Sequence, residues 1–210
     1  MKTVLHPTYF PDILLMATMV QTDCVWEVHD NYQKQTYRNR CNIATDRGMH
    51  SMIIPIIHAG GRQGRQKVKD VQIENVALWQ RQHWRTLQTA YRTSPFFEYY
   101  EDDIAPIYQE KHPYLLDFNF RSIEILCNCL QIKFPTIKTT NYTLHPTTEI
   151  DARFLVNCKT EHRFEQQQYT QVFGDRHGFI KNTSVLDLLF NEGPNALSYL
   201  KQQNLEFLDA

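Results

Sequence analysis

The sequence predicts an α/β fold: a small, mainly parallel (Rossmann-like) sheet with an inserted β-hairpin, flanked by helices, and a helical C-terminus. Three observations predict it. Strand, turn, helix and strand signals follow one another within the first thirty residues, the order of a βαβ unit with parallel strands. An alternating run, a tight-turn signal and a β-branched run come next, which is a hairpin. Helical periodicity then dominates the segments that follow. No internal repeat or interdomain linker divides the 210 residues, so a single domain over 1–210 is the expected organisation.

Taken in order, Thr3-Val4-Leu5 is a short apolar strand stopped by Pro7. Asp12 opens a helix that runs to Val20 or Gln21, and Cys24-Val25-Trp26-Glu27-Val28 is a second strand, ending at His29-Asp30-Asn31. Residues 37–44 alternate, Asp46-Arg47-Gly48 is a turn, and residues 52–57 are apolar and β-branched. Residues 58–69 are rich in Gly, Arg and Gln and read as an exposed loop. Residues 71–73 form a short strand, and 78–91 a helix with Trp79, His83, Leu87 and Tyr91 in i,i+4 series. Pro95 interrupts; helices follow over 96–108 and 114–130, then a strand over 136–139. Residues 140–180 lack periodicity and read as loop with short strands. Thr183-Ser184-x-x-Asp187 resembles a capping box, with Asp187 capping a helix over 185–190; Gly193 stops it and Pro194 starts another.

Composition narrows the function. At 42% hydrophobic and 12% aromatic the chain fills a core, which excludes wholesale disorder. Lys+Arg 22 against Asp+Glu 23 argues against a nucleic-acid binder. The balance hides an asymmetry: residues 1–92 carry 12 basic and 7 acidic side chains, the rest 10 and 16. A local anion site in the front half is the expectation, with a small anionic molecule as partner. No apolar run reaches the length of a membrane span, roughly 18 residues, and residues 13–20 read as a buried helix rather than a signal peptide. The five cysteines include no Cys-x-x-Cys, so a cytoplasmic protein with reduced thiols and no metal site is expected. No motif assigns a cofactor.

Several constellations carry chemistry. His6-Pro7-Thr8-Tyr9-Phe10-Pro11 lies at the carboxyl end of the first strand, the edge where open α/β sheets bind ligands. His6 and Tyr9 are acid/base or donor groups there, or else parts of a rigid Pro-flanked turn. Asp30 ends the neighbouring strand and orients His6, binds an amine, or caps the strand. On a strand, Arg38, Arg40 and Asn42 share one face, with Asn39 between them; two guanidiniums on one face clamp a carboxylate or phosphate, or else the strand simply turns a solvated face outward. His83 interrupts an apolar helix stripe beside Tyr91, as a catalyst or a satisfied core residue, while Arg81, Arg85 and Arg92 form a second stripe. Gln171, Arg176 and His177 stand among aromatics in a late segment suited to a flat or sugar-like ligand. The candidates are thus His6, Asp30 and His83 for catalysis, and Tyr9, Arg38, Asn39, Arg40, Tyr91, Gln171, Arg176 and His177 for substrate.

Five blocks of the chain are similar to one family: Pro7-x-Tyr9-Phe10-Pro11; Tyr32-x-Lys34-Gln35-x-Tyr37-Arg38-Asn39-Arg40-Cys41; Trp79-x-x-x-His83-Trp84 through Ala90-Tyr91; Ser94-Pro95-Phe96-Phe97-Glu98-Tyr99-Tyr100-Glu101-Asp102; and Gln171-Val172-Phe173 through Arg176-His177-Gly178-Phe179 to Gly193-Pro194. The sequence resembles the WbqC-like family in its Bacteroidetes-type form. Where many relatives read Pro-Tyr-Ile-Gly-Tyr, this chain has Pro11-Asp12-Ile13-Leu14-Leu15, so no nucleotide cradle is expected at that turn. The family's link to O-antigen gene clusters implies a transferase, of acyl or aminoacyl type, acting on an amino sugar or nucleotide-linked anionic small molecule in surface polysaccharide biosynthesis. The alternative is a non-catalytic binding or assembly protein that docks through Arg81, Arg85, Arg92 and the loop at 60–69.

Overall fold

In a computed structural model, which describes residues 2–57, 66–76, 78–160 and 164–208, the chain opens with the expected βαβ unit. Strand β1 (Lys2–Leu5), helix α1 (Ile13–Gln21) and strand β2 (Asp23–Trp26) follow in order, and the two strands pair in parallel from Lys2↔Asp23 to Leu5↔Trp26. Asp12 starts α1 by accepting the Leu15 N–H through its side chain, which satisfies one of the N–H groups left free at a helix start. Seven of the helix's residues are buried, because the two C-terminal helices, over 185–192 and 196–201, pack on it.

The hairpin is β3 (Arg40–Thr45) and β4 (Gly48–Ile53), joined through Asp46 and Arg47 and paired antiparallel from Arg40↔Ile53 to Thr45↔Gly48. The second run stops short of the predicted 57. Pro55 has no N–H to give a ladder, and β5 (Ile56–Ile57) leaves the hairpin to pair with β6 (Gln72–Ile73). Most of the predicted basic loop, 58–65, lies outside the described residues. Helices α2 (Trp79–Tyr91), α3 (Phe97–Ile104) and α4 (Leu115–Cys129) follow, with a 3-10 turn, Ala105–Tyr108, closing α3.

Strand β7 (Ile150–Asp151) completes a parallel sheet in the order β2-β1-β7. The strand expected at 136–139 reduces to one parallel bridge, Trp26↔Lys138. Only Ile137 and Thr139 exchange backbone bonds with Trp26 there, and the chain peels away into the following loop. A short helix, α5 (Gly174–His177), interrupts the segment read as loop.

The C-terminal part is helical: α6 (Val185–Glu192) and α7 (Ala196–Lys201), linked by a 3-10 turn at Gly193–Asn195. Ser184 caps α6 by accepting the Leu186 N–H. Asp187 does not cap it: its carboxylate is drawn sideways to donors from the preceding loop. Gly193 ends α6 at φ +52°, and a Cβ there would lie 2.6 Å from the Phe96 ring. Gly193→Ala is therefore expected to cost about 1–3 kcal/mol through backbone strain and overpacking, read as a lower midpoint in thermal unfolding; an unchanged midpoint would show that the ring yields freely.

Candidate functional site

The three parallel strands deliver ionisable side chains to their shared carboxyl edge. His6 follows β1, Glu27 and Asp30 follow β2, Asp151 ends β7, and Arg153 stands two residues on. In a parallel sheet every strand ends on the same side, so residues far apart in sequence meet there. Arg38 is inserted from the turn before β3. Its Nη2 donates to Asp30 Oδ2 at 2.7 Å and lies 2.8 Å from His6 Nε2; Asp30 Oδ2 is 3.3 Å from the same ring nitrogen.

This geometry fixes the state of His6. A guanidinium only donates, and Nη2 has two protons, one for Asp30 and one for the ring. Nε2 is therefore the acceptor, and the ring proton sits on Nδ1. Burial first, then the adjacent Arg38 charge, hold the imidazole down to about 4 against the upward pull of Asp30, so the ring is neutral at pH 7. Burial works to raise Asp30, but the Arg38 guanidinium and the Asn31 N–H hold its carboxyl below the usual value. Three kinds of buried donor in this cluster have no hydrogen-bond partner among the described residues: His6 Nδ1, Arg38 Nε and Arg38 Nη1. Arg38 is only 1% exposed. Buried donors are seldom left unmet in native proteins.

A second layer of charge is fully engaged. Arg153 grips Asp151 with two bonds, Nε to Oδ1 at 2.7 Å and Nη2 to Oδ2 at 2.6 Å, and ties down the loop through the carbonyls of Thr143 and Leu144. Its Nη1 lies 3.7 Å from Glu27 Oε2. Glu27, buried, also lines a cleft of about 400 Å³ whose roof carries Thr139, Thr140 and Thr143. Asn119 of α4 locks the site from beneath, its Nδ2 donating to the carbonyls of both Pro7 and Arg38. The turn between them is strained: Phe10 is fully buried with φ +38°, a region that costs a bulky residue energy and is held here by Ser122 and Ser184.

The remaining candidates lie elsewhere. Tyr9 turns into the core, where its hydroxyl is 3.0 Å from His83 Nδ1 and 2.7 Å from the Tyr108 hydroxyl. His83 stacks on Tyr9 and meets Trp79 edge-on, and burial lowers its imidazole to about 4. His6 and His83 thus belong to different hydrogen-bonded groups, and the second is the satisfied core arrangement. Arg38 and Arg40 do not share a strand face, because Arg38 precedes β3 and its carbonyl is taken by Asn119. Asn39 is tied to the Ile54 carbonyl. Tyr91 and Gln171 converge on Asp187. Arg176 sits over the Phe173 ring, and His177 Nε2 reaches the Asp46 carbonyl at 2.6 Å, both at the surface. Arg81 and Arg85 are exposed on α2, and Arg92 is exposed just past its end. The sequence pattern does not single out Glu27, Asn119, Asp151 or Arg153; a lone carboxylate in the apolar Cys24-Val25-Trp26-Glu27-Val28 run is the one local signal. Among the described residues no group of three or more His, Cys, Asp or Glu is placed to hold a metal ion, and no helix is long and apolar enough to cross a membrane.

A small parallel sheet flanked by helices, its carboxyl edge gathering buried, partly unsatisfied charge, defines an α/β protein. A profile of the WbqC-like protein family matches residues 6–163, and the chain belongs to that family. The matched span contains His6, Asp30, Arg38, Asn119 and Arg153, and it ends before the block at 171–194. The chain is 27% identical to the uncharacterized protein Rv1507c of Mycobacterium tuberculosis (strain ATCC 25618 / H37Rv), over 81% of this chain and 84% of that one. No solved structure matches.

Proposed function

We propose that this WbqC-like protein is a transferase that holds an anionic small molecule, an amino sugar or nucleotide-linked sugar, at the carboxyl edge of its sheet. The observation that carries this reading is the buried Arg38 guanidinium with Nε and Nη1 unpartnered beside an unpartnered His6 Nδ1. All three are donors, and an oxyanion is the group that meets several converging donors at once. Arg38 and His6 then bind and orient, and His6 acts through its Nδ1–H as a donor rather than as a base. Asp30, with its side chain 11% exposed, is the carboxylate left to position a substrate amine by charge and hydrogen bond. A role in surface polysaccharide biosynthesis is the context this chemistry fits.

The test is a thermal-shift and calorimetric screen with inorganic phosphate, nucleoside diphosphates and nucleotide-linked amino sugars. At least one is expected to stabilise the wild type by mass action. Arg38→Lys keeps the charge but loses the planar fork, and is expected to weaken that ligand at least about tenfold, roughly 1.4 kcal/mol. A wild type that none of them stabilises, or an Arg38→Lys variant that binds equally well, defeats the proposal.

A further inference from the structure

A second cleft, of about 1240 Å³, lies between the hairpin, the segment around 164–167 and the chain after α7. It shares no lining residue with the Arg38 cluster. Its chemistry is different too. Carboxamides dominate the wall, among them Asn182, Gln202, Gln203 and Asn204, with the rings of Tyr37 and Phe207 between them. A carboxamide offers a donor and an acceptor in one plane, which pairs with neighbouring hydroxyls, and an aromatic ring offers an apolar face to the C–H side of a pyranose. On the described wall Lys181 stands against Glu165 and Glu206.

Two details show that the wall is built rather than merely polar. Asn182 is fixed in place, accepting the Leu14 N–H and donating to Asp12 Oδ2. Gln203, 5% exposed, donates through Nε2 to the Tyr199 carbonyl, which leaves its buried Oε1 as an acceptor with no partner among the described residues. The carboxamides on this wall pair with hydroxyl donors and acceptors. The volume exceeds the roughly 300–1,000 Å³ of a site for one small ligand, so a single sugar ring does not fill it.

We infer that this cleft binds an uncharged oligosaccharide of two or more rings, through carboxamide–hydroxyl bonds and ring stacking. The inference stands independently of the oxyanion site.

The experiment is titration of the full chain with maltohexaose, cellohexaose and hexa-N-acetylchitohexaose, read by saturation-transfer NMR and calorimetry. At least one is expected to bind with Kd at or below about 1 mM. The surface pair Gln202→Ala/Asn204→Ala, both exposed, and separately Gln203→Leu, are each expected to weaken it at least about fivefold. Arg38→Lys is expected to leave it unchanged. No binding by any of the three at about 5 mM, or binding that the surface pair leaves intact, overturns the inference. The surface pair carries the test if Gln203→Leu does not fold.

Discussion

Asp187→Ala is expected to destabilise the protein by about 3–5 kcal/mol, the loss of about two hydrogen bonds to a charged group at roughly 1.5–3 kcal/mol each, and to lower the thermal midpoint by roughly 6–20 °C. The carboxylate has no exposure and is ringed by donors: Gln171 Nε2 at 2.7 Å, the Tyr169 hydroxyl and Asn191 Nδ2 at 3.1 Å, Thr183 Oγ1 at 3.2 Å, and the Tyr91 hydroxyl. Tyr91 accepts in turn from the Ala44 N–H. One side chain therefore joins α2, β3, the 169–183 segment and α6. Alanine removes the acceptor they share: Gln171 keeps the Ile180 carbonyl and Asn191 the backbone carbonyl of residue 187, but the buried hydroxyls lose their carboxylate, and asparagine points an NH₂ into them. Denaturant unfolding of both variants checks this; a loss below about 1 kcal/mol, the worth of one ordinary hydrogen bond, would mean the network contributes little.

The same residue shapes the response to pH. Burial lifts Asp187 to about 6, over the opposition of its donors, and lifts Asp12 to about 7. A carboxyl raised in the folded state favours folding below its unfolded value, and that contribution is lost as pH rises through the folded one. His6 and His83, each held near 4 by burial, work in the opposite sense. Between about 4 and 6.5 the unfolded chain binds protons that the folded imidazoles refuse, so stability rises with pH. From about 4 to 6 the two pairs oppose each other. Asp187→Asn removes one carboxyl from that balance, and its unfolding free energy is expected to climb more steeply with pH over that window, by up to about 1.4 kcal/mol per unit. Parallel curves for variant and wild type would refute the assignment.

The parts of the fold that were legible in the sequence are those where one local rule decides. Pro7 ends β1, Asp12 caps α1, and the Trp79–Tyr91 stripe faces the core, each visible within a few residues. The parts that were not legible depend on distant partners. β7 is two residues long and shows no pattern; it becomes a strand by pairing with β1. Arg38 fits the alternation of Arg40 and Asn42, yet no strand forms there. Tyr37 gives its N–H to Val156 and its carbonyl to Tyr9, while Asn119 takes the carbonyl of Arg38. The site follows the same division. His6 and Asp30 were placed together from the handedness of a βαβ unit. The way Arg38 joins them, on the core side rather than on a solvent-facing strand, came from contacts with α4, which the local pattern does not encode.

Arg38→Met is expected to cost about 3–5 kcal/mol, because it strands Asp30 as an uncompensated carboxylate and leaves His6 Nε2 without a donor. Asp30→Leu alone leaves the guanidinium buried without its counter-charge and should be comparably harmful. The double variant removes both charges. Since burying a charge pair roughly offsets its own attraction, Arg38→Met/Asp30→Leu is expected to recover to within about 2 kcal/mol of wild type, with a coupling of at least about 2 kcal/mol in the double-mutant cycle. His6 reports on the same pair. Burial lowers its imidazole most and Arg38 adds to that, while Asp30 pulls upward, so in Arg38→Met the ring is expected to titrate higher, followed by NMR. The folded state then accepts the proton that the wild type refuses, and less stability is lost on acidification from about 6.5 to 4. Additive single-variant effects, or a His6 titration that does not move, would show that the three side chains do not act as a unit. The double variant also separates architecture from binding. It should fold nearly as well as the wild type and still fail to hold the oxyanion, because the guanidinium with unpartnered donors is gone.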